Sequence, residues 1–174
     1  MNRYLQIVCS IAVSLWLGGL IALFVFVTAL FKTDRSIGLI AAPILFHSFA
    51  AYQLIVGAAG LIALCFWRAI VRSRWINVMI VMFAISLALA AYVTFSMIQE
   101  MEAIRDAGHS GDSPRFKTLH GLSMVLYLSQ AIALLFCAVI LPLAISASAA
   151  SRTRREIVPA TDSPDGTADR VPAR

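Results

Sequence analysis

Four long apolar stretches, each separated from the next by a short cluster of charge, set the order of this chain. The first, approximately Tyr4 to Phe31, ends at Lys32-Thr33-Asp34-Arg35-Ser36. The second runs from about Ala42 to Trp67, with Pro43 in its first turn, where a missing N–H is harmless. Arg68, Arg72 and Arg74 close it, and a third stretch follows from about Trp75 to Ile98. The polar segment Gln99 to Lys117 contains Gly108, Gly111 and Pro114 and reads as a loop before the fourth stretch, about Thr118 to Ile145. Each stretch exceeds the ~20 residues that an α-helix needs to cross the hydrocarbon of a bilayer. The pattern predicts an all-α integral membrane bundle of four transmembrane helices over residues 1–145. From Ser146 onward Pro, Asp, Ser, Thr and Arg dominate and no apolar period survives, so 146–174 reads as a disordered polar cytoplasmic tail.

Composition supports that reading. Of 174 residues, 60% are hydrophobic and 13% charged, more apolar surface than a water-soluble domain of this length can hide. The N-terminal run is too long for the ~7–15-residue core of a secretory signal and reads as a retained first helix. Cys9, Cys65 and Cys137 all fall inside apolar runs, never as a CxxC pair, and read as buried free thiols.

The net charge of +5 is carried in loops and tails beside the apolar runs, so it reports topology and contact with anionic lipid rather than nucleic-acid binding. Arg3, Arg68, Arg72, Arg74, Arg152, Arg154 and Arg155 collect on one side; Lys32, Arg35, Arg105, Arg115 and Lys117 on the other. The bias predicts N-in/C-in in a plasma or inner membrane, and so places the Gln99–Lys117 segment outside. The implied partner is the lipid bilayer, with a homo-oligomer as a candidate assembly and no nucleic acid.

Helices in lipid associate by close backbone approach. Ser10, Ser14, Gly18 and Ala22 form a small-residue groove on the first helix, Ser86, Ala90 and Thr94 on the third, and Gly57, Ala58 and Gly60 mark the second. On the fourth, His120, Ser123, Tyr127 and Gln130 follow +3, +4, +3 spacing and share an arc of about 80°, which should point into the bundle.

His47 and His120 lie at matching places, each about one turn inside the start of its apolar run and both on the outer side. Near a helix N-terminus the neutral imidazole is favoured, and that is the metal-binding form. His47 and His120 are therefore candidate metal ligands, with Glu100, Glu102 or His109 able to add a donor. The same pair admits haem b, and it equally admits a structural reading in which both rings are satisfied by neighbouring helices. Trp16, Ser123, Tyr127 and Gln130 are the accompanying polar cluster. A further reading is a pocket for small-solute transport by an oligomer, lined by Trp16, Tyr52, Tyr92 and Tyr127 beside Gln53 and Gln130. No catalytic serine motif, HExxH or phosphate loop occurs, so a non-enzymatic membrane protein, or a purely structural or partner-binding module, is expected.

Trp16-Leu17-Gly18-Gly19, Phe46-His47, and Phe116-x-x-Leu119-His120-Gly121-x-Ser123 resemble motifs of the small four-helix membrane proteins similar to human transmembrane protein 205, whose bacterial members form a domain of unknown function. The resemblance covers residues 4 to 145. It implies four spans and neither an enzyme activity nor a ligand. The family pattern has a proline after the third helix; this chain has none near Glu100.

Overall fold

A computed structural model describes residues 2–108 and 113–157. Every regular element among them is helical: α1 Asn2–Thr33, α2 Arg35–Ile70, α3 Arg74–Tyr92, α4 Ile98–Asp106 and α5 Pro114–Ile157, with a π-helical turn, Val93–Met97, joining α3 to α4. Because that turn keeps the rod continuous, four segments are long and apolar enough to cross a membrane: Arg3–Thr33, Arg35–Ile70, Arg74–Asp106 and Pro114–Ala149. At ~1.5 Å per residue each outruns the ~30 Å hydrocarbon layer.

The helices are longer than hydropathy predicts, for local reasons. α2 starts at Arg35 because Asp34 caps it, its carboxylate accepting from the Ser36 N–H (2.7 Å) and the Ser36 hydroxyl (2.6 Å). These bonds, the side-chain one foremost, hold the exposed Asp34 carboxyl below the usual carboxylate range. Pro43 therefore sits inside α2 rather than in its first turn. The expected loop Gln99–Lys117 is also corrected. Its first part is α4, built from Glu, Met, Ala and Arg, which are good helix formers. Gly108, at φ 76°, ends that helix in the left-handed conformation. α5 begins at Pro114, with the Ser113 hydroxyl accepting from the Phe116 N–H (3.2 Å). At its other end α5 passes Ile145 and runs to Ile157, through a segment rich in Ala and Ser. The rest of the expected tail, 158–174, lies outside the described residues.

The π turn has a visible cause. The Ala90 carbonyl accepts both the Val93 N–H and the Thr94 hydroxyl (2.8 Å), and the Ile98 N–H reaches back to the Val93 carbonyl, five residues earlier. One residue beyond the α-helical period re-aims everything after it by roughly 100°. That rotation decides which helices the α4 carboxylates face.

Packing runs round a ring. α1 and α3 each contact both α2 and α5, so α2 and α5 are diagonal neighbours. Aromatic side chains bridge that diagonal: Phe46 and Phe49 of α2 lie 5.9 and 6.4 Å from Tyr127 of α5. Around the outside stand large exposed apolar side chains such as Phe24, Phe26, Ile55, Phe66, Phe95 and Phe136, the surface expected against lipid.

The small-residue devices are only partly as expected. Gly57 and Gly60 of α2 are close-approach sites: a Cβ on Gly57 would stand 2.7 Å from the Trp16 ring, and one on Gly60 2.5 Å from Phe83. The groove on α1 is corrected. Its buried face is Cys9, Ala12, Val13, Trp16, Leu20 and Leu23, while Ser14, Gly18 and Ala22 are exposed. Trp16, wide and flat, needs the flat surface that Gly57 offers, and this turns the Ser14–Gly18–Ala22 stripe outward. Cys9 and Cys137 are buried as expected, whereas Cys65 is exposed on the lipid-facing side of α2.

Candidate functional site: an end pair and a central polar layer

Chemistry-bearing side chains gather in two places. The first is the end of the bundle where α1 turns into α2 and α4 into α5. Here His47 Nδ1 lies 3.7 Å from Glu102 Oε1, an approach between α2 and α4 that the π turn makes. Both side chains are solvent- or headgroup-accessible, 72% and 40% exposed. Two residues earlier in α4, Glu100 accepts from Arg115 through Nε (2.8 Å) and through Nη2, tying α5 to α4. At this exposure the Arg115–Glu100 pair is worth ~0–1 kcal/mol and serves mainly to fix geometry.

His120 shares that end but not that pair. Leu119 packs in one cluster with Ala50, Val93, Met97 and Ile98, which puts His47 about one turn nearer the helix starts than His120. Each ring points outward. His120 is exposed and stacks on Phe116 one turn earlier, with centroids 6.3 Å apart and planes 7° from parallel. The expected inward stripe of α5 is therefore divided: Ser123 and Gln130 are buried and Tyr127 is partly so, while His120 faces out. The Ser123 hydroxyl is used up on the His120 backbone carbonyl (2.8 Å). On α2, the inward face is Ala50, Gln53, Gly57 and Gly60, not the His47 face. Among the described residues no three or more His, Cys, Asp or Glu side chains converge as a metal site; His109 lies outside them.

The second place is the middle of the bundle. Trp16, Gln53, Ser86 and Gln130 are each 0% exposed, one from each of the four spans. The register puts them on one level. Trp16 lies against Gly57, one turn from Gln53, and Gly57 also faces Leu87, next to Ser86. Cys137 meets the Met79 carbonyl, and an equal walk along these antiparallel helices, 79 to 86 and 137 to 130, brings Ser86 level with Gln130. Tyr127 joins the layer, its hydroxyl facing the Gln53 side chain but short of hydrogen-bond geometry.

None of the layer's side-chain polar atoms has a hydrogen-bond partner: Trp16 Nε1, both ends of Gln53 and Gln130, Ser86 Oγ and Tyr127 Oη. Leaving one such group unpaired costs about 1–3 kcal/mol, and lipid offers no substitute. Ser86 is the informative member. Ser10, Thr94, Ser129, Ser146 and Ser148 all return their hydroxyls to the carbonyl four residues back, whereas Ser86 does not. Tyr52 and Tyr92, expected to line a pocket with these residues, stand apart: the Tyr52 hydroxyl donates to the Leu15 carbonyl (2.9 Å), and Tyr92 is 52% exposed. Ser86 was legible only as a packing residue. Gln53, expected beside Gln130 at a pocket, is buried on the face that its +4, +3 spacing to Gly57 and Gly60 marks.

Compared with known proteins, the chain matches no family model, no curated protein and no solved structure.

Proposed function

We propose that this chain is a non-enzymatic multi-pass membrane protein that takes a metal ion or small ligand at its outer end, through His47 and Glu102. The observation that carries the reading is the 3.7 Å approach of an imidazole nitrogen to a carboxylate oxygen from a different helix. Two donors at that separation can both reach one borderline cation, since Zn–N and Zn–O bonds are each about 2.0–2.2 Å. Solvent or substrate would complete the coordination, because both side chains are open to the surroundings. His120, turned onto Phe116, contributes no donor to the pair.

Zinc titration of the full-length protein in detergent or nanodiscs, read by calorimetry and elemental analysis, tests this. His47→Ala and Glu102→Gln are each expected to weaken binding by at least about tenfold, as loss of one of few ligands should, and His120→Ala to leave it unchanged. Loss of binding only in His120→Ala, or a Soret band in the purified protein, would replace this reading with the other two expected from the paired histidines. If no variant changes zinc uptake, the partner-binding or structural module is the better account.

A further inference from the structure

The central layer is not needed by the His47–Glu102 pair, and its makeup is unusual for a core that only holds helices together. A structural polar contact in a membrane bundle satisfies itself, as Ser123 does on the His120 carbonyl and Tyr52 on the Leu15 carbonyl. The layer does the reverse. Trp16, Gln53, Ser86 and Gln130, fully buried on four different helices, and the largely buried Tyr127, which faces Gln53, lie within about one helical turn of one level, and none of their side-chain polar atoms is in hydrogen-bond geometry with a partner. Such groups in mid-membrane mark a place built for a further hydrogen-bonding species.

We infer that Trp16, Gln53, Ser86, Tyr127 and Gln130 form an intramembrane binding site for a small uncharged molecule of the primary-amide class. The donors and acceptors define that chemistry. Trp16 Nε1 and the Ser86 and Tyr127 hydroxyls offer hydrogens to a carbonyl oxygen. The Gln53 and Gln130 amides offer both C=O and NH₂, which pair reciprocally with another amide. None of the five side chains carries a charge, so an ion entering the layer would meet no countercharge and lose its hydration. The ligand must be small, because the Trp16 ring already closes on Gly57 and Leu87 on the same face. Entry requires the helices to part, and the π turn Val93–Met97, beginning two turns beyond Ser86 on the same rod, is the place where that rod already departs from α-helical register.

The test is thermal unfolding of the full-length protein in detergent, with acetamide as probe and acetate, its charged isostere, as control. Wild type should gain about 2–4 °C in apparent Tm with acetamide and nothing with acetate. Gln53→Met/Gln130→Met keeps side-chain length and removes both amides; it should fold, by size-exclusion profile, and lose the acetamide response. Trp16→Phe, which keeps ring packing and removes one donor, should retain a reduced response. The inference is overturned if acetamide gives no shift in wild type, if the double variant shifts as much as wild type, or if acetate does as well as acetamide. Zinc binding at His47 and Glu102 is read separately, so either result can fail alone.

Discussion

Gly60→Val is expected to unfold or dissociate the bundle at temperatures where wild type is intact, losing at least about 2–3 kcal/mol. A Cβ at this position would meet Phe83 Cε1 at 2.5 Å and the Ala12 Cβ at 3.0 Å. Ordinarily a side-chain clash is relieved by rotating the side chain. Phe83 has no such freedom: it is fully buried and braced edge-on against Trp16, with centroids 5.4 Å apart and planes at 79°. Ala12 belongs to the backbone of α1 in effect, so α1, α2 and α3 would have to separate together. In lipid that loss is not offset, because packing rather than hydrophobic burial holds these helices. Gly18→Val, by contrast, should be silent, since nothing lies within 4 Å of that position. Thermal unfolding followed by loss of the monodisperse peak separates the two variants directly.

Trp16→Ala should be the second large effect, about 3–5 kcal/mol, because it empties a fully buried site between α2 and α3. The ring covers Gly57, abuts Phe83 and forms one wall of the polar layer. Trp16→Phe is expected to lose much less, since most of the ring contact survives and the indole N–H it removes has no partner. The gap between the two substitutions, measured by the same unfolding assay, distinguishes packing from hydrogen bonding at Trp16. If the two lose stability equally, the indole N–H is bonded and the layer is not as described.

Much of this architecture was legible in the residues, and the failures share one physical origin. Hydropathy reports where lipid begins and ends, and so it located all four spans. It does not report where a helix ends in water. Residues 99–106 read as a loop because Gln99, Glu100, Glu102, Arg105 and Asp106 are polar, although most of them are comfortable in a helix; α4 is the outcome. Asp34 was visible as a breaker, but its second role as the cap of α2 was not drawn from it, which displaced Pro43 by two turns.

The site failed in a different way. The spacing His120, Ser123, Tyr127, Gln130 does mark the inward face of α5, and three of its four members lie there. The arc was about 80° wide, and at its outermost member the bundle ends and a polar ring gains more from the aqueous side. His47 lies off the face that the glycines of α2 mark, whereas Gln53, expected beside Gln130 in a candidate pocket, is fully buried on that face. Glu102 was expected only as one of three further donors, with Glu100 and His109, and no spacing rule singles it out, since its approach to His47 follows from the extra residue in the Val93–Met97 turn.

That approach is also the most direct test of the account. In a background with Cys9, Cys65 and Cys137 replaced by alanine, His47→Cys with Glu102→Cys should be joined by a short bifunctional thiol reagent in native membranes, giving a linked peptide detectable by mass spectrometry. His47→Cys with His120→Cys should yield no linked peptide, because those side chains leave opposite helices of the ring toward the outside. Efficient linkage of the 47–120 pair, with none for 47–102, would contradict the arrangement of this end of the bundle and the ligand reading built on it.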